Sequence, residues 1–317
     1  MSLRRYVLRR VLLTVPILIG VSVLTFGLVK LLPGTPVDYV LQFQESTPDL
    51  RASLRAQYHL DEPLPTQYAL WLWDVLHLDF GERVVSDRSV RAAVAARLPA
   101  TLALGTAALV VALLVGVPAG VLAAVNRGGP ADEISRVVAL AGIATPNFWL
   151  GLLLILVFGV HLNLVPVIPP VAPLLAPESL AFLALPALTL GTASAALFTR
   201  LTRSAVGEEL RRDYVRTARA KGLPERTVLV KHVLRNSLIS VVTVAALQVA
   251  VLLDGAVVIE RVFSWPGLGR LLVRAILQRD FPVVQAVVLL VAVAVVVANL
   301  LADVLYAYLD PRIRYRS

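Results

Sequence analysis

Six long stretches of this chain have no charge at their centres, and that pattern removes most of the folds open to a polypeptide of 317 residues. They run approximately Val11–Val29, Thr101–Val125, Val137–Val160, Leu180–Thr199, Leu238–Ile259 and Phe281–Tyr306, each rich in Leu, Val and Ala. A hydrocarbon core about 30 Å thick is crossed by roughly 20 helical residues, so each run is long enough to span it. Backbone polar groups in lipid must bond within their own segment, which makes these runs helices rather than strands. Only 16% of the residues are charged, where a soluble domain carries about a quarter. The expectation is an all-α, polytopic membrane protein with six transmembrane helices. Pro16, Pro118, Pro146 and Pro186 fall inside or at the ends of these runs, and prolines so placed mark bends in membrane helices.

The charges between the runs set a sidedness. Residues 200–235 hold ten cations against four carboxylates, a net of +6. With six spans, Arg4, Arg5, Arg9 and Arg10 and also Arg312, Arg314 and Arg316 fall on the same side. The positive-inside rule makes that side cytoplasmic, with both termini there. The loop from Lys30 to Arg97 has seven cations and nine carboxylates and is placed outside. Arg261, Arg270, Arg274 and Arg279, between spans five and six, pull mildly the other way. The uncharged run Val11–Val29 is 19 residues long with no A-x-A-like site after it, so it reads as an uncleaved first helix rather than a signal peptide.

Little in the sequence points to chemistry. There is no cysteine, and His59, His77, His161 and His232 are scattered, so no metal site is expected. No G-x-x-x-x-G-K-[ST] phosphate cradle and no G-x-S-x-G nucleophile turn occur, so an enzyme reading lacks a constellation and no cofactor is expected. The formal charge of +9 is basic. Its cations sit between apolar runs, which fits membrane orientation rather than a nucleic-acid face. Secondary transporters place ionisable groups near the midplane. Here Asp254 falls toward the outer end of span five, and Asn299 and Asp303 share a face near the inner end of span six. Asp254 and Gln248 read either as interhelical contacts or as pathway lining.

The most distinctive polar segment is DYVRTARAKGL, residues 213–223. Its pattern predicts a short amphipathic helix ended by Gly222, with Pro224 and Glu225 opening a second short helix, both on the inner membrane surface. On composition alone it reads equally as a basic interfacial helix holding anionic headgroups.

That segment resembles the EAA loop of binding-protein-dependent ABC permeases, in the form typical of the dipeptide/oligopeptide/nickel branch. Arg216, Thr217 and Ala218 occupy the Glu-Ala-Ala positions of the general pattern. Other stretches resemble the same branch in order and spacing: LLPGTPV (residues 31–37), LDEPLPTQY (60–68), RLPATL (97–102), VFSWPGLGR (262–270) and LDPRIRY (309–315). The resemblance implies a MetI-like importer permease core and half of a translocation pathway for dipeptides, oligopeptides or related solutes. It implies a second, homologous permease, two ATP-binding subunits, an extracytoplasmic substrate-binding protein and a place in a bacterial or archaeal cytoplasmic membrane, among lipids and without nucleic acid. The loop then couples to the ATPases through Tyr214, Arg216, Thr217, Ala218, Arg219, Ala220, Lys221, Gly222 and Leu223, with Ala218, Ala220 and Gly222 as packed contacts. Residues 1–97 form a first helix with its outer loop, and residues 98–317 a five-helix core carrying the coupling loop at about 208–235.

The VFSWPGLGR stretch holds two glycines and a proline, which predicts an irregular outward element. Phe263 and Trp265 read either as a lip at the outer vestibule or, for Trp265, as an interfacial anchor. A competing reading of the whole chain is a self-sufficient channel or secondary transporter, set against the lack of midplane charges.

Overall fold

A computed structural model of the chain describes residues 3–31, 37, 41, 47–57, 59–83 and 86–309. The LLPGTPV motif lies mostly outside the described residues, as do the C-terminal LDPRIRY motif beyond Leu309 and Arg312, Arg314 and Arg316.

Helices dominate. They are α1 (Leu3–Leu31), α2 (Pro48–Gln57), α3 (Leu64–Leu76), α4 (Val90–Val125), α5 (Pro130–Ala144), α6 (Asn147–Leu154), α7 (Pro177–Glu209), α8 (Asp213–Ala220), α9 (Arg235–Val262), α10 (Leu268–Gln278) and α11 (Phe281–Leu309). A π-helical stretch, Ile155–His161, prolongs α6. A single turn, Glu225–Thr227, followed by a second π-helical stretch, Val228–Leu234, leads into α9. Among the described residues, the one departure from an all-α chain is a two-stranded antiparallel pair of β1 (Glu82–Arg83) and β2 (Ser86–Ser89).

Five of the six expected spans are continuous helices long and apolar enough to cross a membrane: Val7–Lys30, Val90–Val125, Pro177–Glu209, Glu225–Val262 and Phe281–Leu305. The third is not one rod. α5 and the α6–π stretch meet at 103°. The cause is local: a residue before proline is pushed out of the α region, and Thr145, preceding Pro146, is extended at φ −81° and ψ 123°. The Thr145 hydroxyl closes the end of α5 by donating to the Ala141 carbonyl at 2.7 Å. Pro16 and Pro186 stay within continuous helices.

The chain divides into two compact units. The first is mainly Leu102–Trp265. Its centre is α7, which packs against α5, α6 and α9. Its approach to α4 is close because glycines remove the side chains between backbones. A Cβ on Gly116 would stand 2.5 Å from the Ala195 carbonyl oxygen, and one on Gly120 2.6 Å from that of Thr199. Gly116 and Gly120 are thus the two small positions of a G-x-x-x-G face, the device by which membrane helices gain packing contact where lipid supplies no hydrophobic drive. Ala112, Ala195, Phe198 and Val241 are buried beside it. Buried Thr189 and Thr199 donate to carbonyls one turn back, so their hydroxyls are satisfied within α7.

The second unit comprises Val7–Thr101 and Pro266–Val297. Its core joins Val90 and Val94 of α4, Leu268, Leu271 and Ala275 of α10, and Val283, Ala286 and Val287 of α11. The expected irregularity of the VFSWPGLGR stretch is confined to its first half. From Leu268 the chain is helical, because Leu268, Leu271 and Ala275 recur at helical spacing and bury one face. The Thr101 hydroxyl accepts from the Leu268 N–H at 2.8 Å, closing the start of α10. Arg279, at φ 51°, turns the chain from α10 into α11. Asp280, wholly buried, accepts from Arg83 at 3.1 Å. Phe26 of α1 meets Tyr68 and Trp71 of α3 with ring centroids 5.6 Å apart.

Candidate functional site

The segment between α7 and α9 is the candidate site, and its shape follows from a few residues. Arg212 is extended, so the chain leaves α7 and re-enters helix at Asp213. Asp213 lies in the first turn of α8 and Arg219 in its last, each at the end the helix dipole favours. Val215 and Ala218, three apart, face inward and pack with Ala124, Val206, Val228 and Val233. The opposite face is open: Arg216, Thr217, Arg219, Ala220 and Lys221 are exposed.

α8 stops in a Schellman motif. The Gly222 N–H donates to the Arg219 carbonyl at 2.9 Å and the Leu223 N–H to that of Ala218 at 3.3 Å. This closure needs a left-handed residue, and Gly222 sits at φ +74°. No atom lies within 4 Å of where a Gly222 Cβ would stand, so conformation rather than crowding demands glycine there. Arg219 then clips the turn by donating to both oxygens of Glu225, at 3.1 and 2.5 Å.

Tyr214 ties α8 to both flanking spans. Its hydroxyl donates to Glu209 at the end of α7 at 2.5 Å and accepts from Asn236 at the start of α9 at 3.1 Å. It also lies 3.3 Å from the His232 carbonyl in the π-helical stretch. Burial, then the bond to Glu209, push the Tyr214 phenol above its ordinary value. π-helical turns are rare and cluster at functional sites, and this one adjoins α8 directly.

Two expectations change. The second short helix after Gly222 is not separate, since Glu225–Thr227 and the π-helical stretch run on into α9. Ala218 is no outward contact: its methyl is buried among this chain's own residues, because it shares the inward face with Val215. Ala220 and Gly222 are exposed.

The remaining candidates do not join this site. Gln248 of α9 donates to the Ser194 hydroxyl of α7 at 2.7 Å. Asp254 is exposed on α9. Phe263 is buried, its ring 3.0 Å from where a Gly151 Cβ would stand, and Trp265 is buried and stacked on Phe182 at 5.8 Å. Neither aromatic stands out as an exposed lip or interfacial anchor, because glycine on α6 and the ring of Phe182 on α7 leave recesses that they fill. Glu209 and Asn236 carry no signal in the sequence, being polar residues with no motif of their own.

Among the described residues, no group of three or more His, Cys, Asp or Glu could hold a metal ion.

Comparison with known proteins bears directly on this segment. Residues 116–315 match the family of binding-protein-dependent transport system inner membrane components, and residues 3–105 match that family's N-terminal model. The dipeptide transport system permease protein DppB of Escherichia coli K12 is 41% identical, with 99% of each chain covered. The oligopeptide transport system permease protein AppB of Bacillus subtilis is 41% identical over 98% of this chain and 99% of its own. The glutathione transport system permease protein GsiC of Salmonella typhi is 43% identical over the same shares. A solved chain of the MetNI methionine ABC transporter, in an inward-facing conformation, superposes with a TM-score of 0.56 at 16% identity. It covers 68% of this chain and 96% of its own, and it shows a shared fold. With the family model spanning most of the chain and relatives matching it end to end, this multi-pass protein of the cytoplasmic membrane belongs to the binding-protein-dependent transport system inner membrane components.

Proposed function

We propose that this chain is the permease subunit of a peptide importer, forming half of a pathway whose other half is a second, similar permease. Dipeptides or oligopeptides are the substrate class, as the names of its full-length relatives suggest. ATP-binding subunits supply the energy, and α8 is the handle they grip from the cytoplasm. One observation carries the reading: a short helix, fixed at both ends to spans, turns Arg216, Thr217, Ala220 and Lys221 outward while Val215 and Ala218 lock it to the core. Motion of a partner against that face passes into α7 and α9 through the Tyr214 bonds. Arg216 and Lys221 attract an acidic rim and steer its approach. Substrate choice rests with the external binding protein, which delivers cargo at the far face.

The experiment exploits the absence of cysteine. Thr217→Cys, placed in the assembled complex, should cross-link to the ATP-binding subunit, while Glu178→Cys at the opposite end of α7 should not. Cross-linking from Glu178→Cys alone would remove the proposal.

A further inference from the structure

A small cavity opens beside the end of α7 that leads to α8, away from the exposed face of that helix. Its volume is about 90 Å³, and it is lined by Ala124, Arg127, Arg203, Ser204, Gly207 and Arg211. Three arginines line one small void, which concentrates positive charge there. Arg203 has a carboxylate partner: Asp132, almost wholly buried, accepts from Arg203 at 2.5 and 2.8 Å and from the Gly128 N–H at 3.0 Å. Arg127 and Arg211 have none, for among the described residues neither meets a carboxylate. Both stand against the same glycine. Arg127 Nη1 is 4.0 Å from where a Gly207 Cβ would stand, and Arg211 Nε donates to the Gly207 carbonyl at 3.2 Å. The nearby Glu208 is engaged with Arg212 at 2.9 Å and Glu209 with Tyr214.

Arg127 and Arg211 are both exposed, so their guanidinium groups stand free at the rim of the void to receive an anion from solvent or from a membrane surface. Guanidinium forks match the spacing of phosphate oxygens and bind them bidentately. The Ser204 hydroxyl adds a further donor at the rim. The void has room for a tetrahedral oxyanion and not for a nucleotide. Leu122 and Val125 on the last turn of α4, near Arg127 in sequence, and Ile134 and Val138 on α5, near Asp132, are exposed apolar residues suited to lipid. We propose that this arginine-walled cavity is a phosphate site, filled by the headgroup of an anionic phospholipid or by free phosphate. The site stands independently of α8 docking, since none of its residues belongs to that helix.

The test uses the full-length chain in phosphatidylcholine nanodiscs. Two probes are applied: sodium phosphate, titrated at constant ionic strength against chloride, and phosphatidylglycerol mixed into the nanodisc. Thermal stabilisation is read for the first and lipid retained in native mass spectrometry for the second. Arg127→Gln/Arg211→Gln should weaken binding by at least about tenfold, the scale set by losing two charge-assisted contacts. Arg226→Gln/Lys231→Gln, which removes equal charge elsewhere, should leave it unchanged. Retention of phosphatidylglycerol with no response to phosphate identifies the lipid as the source; the reverse identifies free phosphate. Equal loss in both double variants, or no binding of either probe, overturns the proposal. Should the glutamine pair fail to fold, Arg127→Lys/Arg211→Lys keeps the charge but not the fork. A several-fold weakening there supports the site, and binding at full strength overturns it.

Discussion

At the residue scale, Gly222 and Tyr214 do different work in one short segment. Gly222 holds a left-handed backbone at φ +74° with empty space around it. A β-branched side chain there strains the turn by about 1–2 kcal/mol without a clash. Gly222→Val should therefore insert and fold, yet displace the end of α8. In the assembled complex, transport should fall several-fold while ATP hydrolysis continues, and undiminished uptake would remove the coupling assignment. Tyr214→Phe deletes the hydroxyl that bonds Glu209 and Asn236. Its direct effect on stability is about 1 kcal/mol, but the ratio of peptide moved to ATP consumed should drop. The phenol's raised pKa favours the protonated form in the folded protein. Its contribution is thus fully present below the ordinary tyrosine value near pH ~10 and is lost only as pH rises through the higher folded value. Thermal unfolding of wild type and Tyr214→Phe should differ by a constant amount from neutral pH up to that region and converge above it.

At the scale of elements, the α4–α7 crossing depends on absent side chains. The Ala195 and Thr199 carbonyls occupy the space that side chains at Gly116 and Gly120 would need. Gly116→Leu forces the helices apart, and overpacking of this kind costs about 1–3 kcal/mol or more. The variant should reach the membrane and yet lose thermal stability in detergent, whereas Gly105→Leu, nearly free of close neighbours at 3.9 Å, should lose far less. The broken span follows the same logic of local cause. Pro146 sets Thr145 extended, and both arms then lie on α7: Gly142 against Thr192 and Ala196, Gly151 against Thr189. A straight third span would have matched the hydropathy equally well, but not the proline.

At the scale of the whole molecule, the proposed function makes the chain one part of a larger machine, with α8 presenting one face to solvent. Purified and reconstituted alone, it should accumulate no dipeptide. Uptake should appear when ATP-binding subunits, a second permease and a binding protein are supplied with ATP. ATP-independent accumulation by the chain alone would revive the reading as a self-sufficient transporter. Sidedness is tested in cells that express the chain, because a membrane-impermeant maleimide should label Thr217→Cys in inverted vesicles and not in intact cells.

The number of apolar runs, their helical form and the α8 turn were legible in the sequence because each depends on local facts. Uncharged length sets a span, and a short amphipathic stretch stopped by Gly222 sets a capped helix. The G-x-x-x-G at Gly116 and Gly120 was equally local and was passed over. Contacts between distant residues were not legible. Burial of Phe263 and Trp265, the inward turn of Ala218 and the joining of Glu209, Tyr214 and Asn236 depend on which faces of separate helices meet. So does the convergence of Arg127 and Arg211 on Gly207, drawn from helix ends some 80 residues apart in a chain that reaches only by folding. The sequence by itself determined the solvent each segment requires, since hydrophobicity is a property of residues taken one at a time. The tertiary structure alone decided which side chains touch, since that depends on helix rotation and close approach, quantities that no single stretch contains.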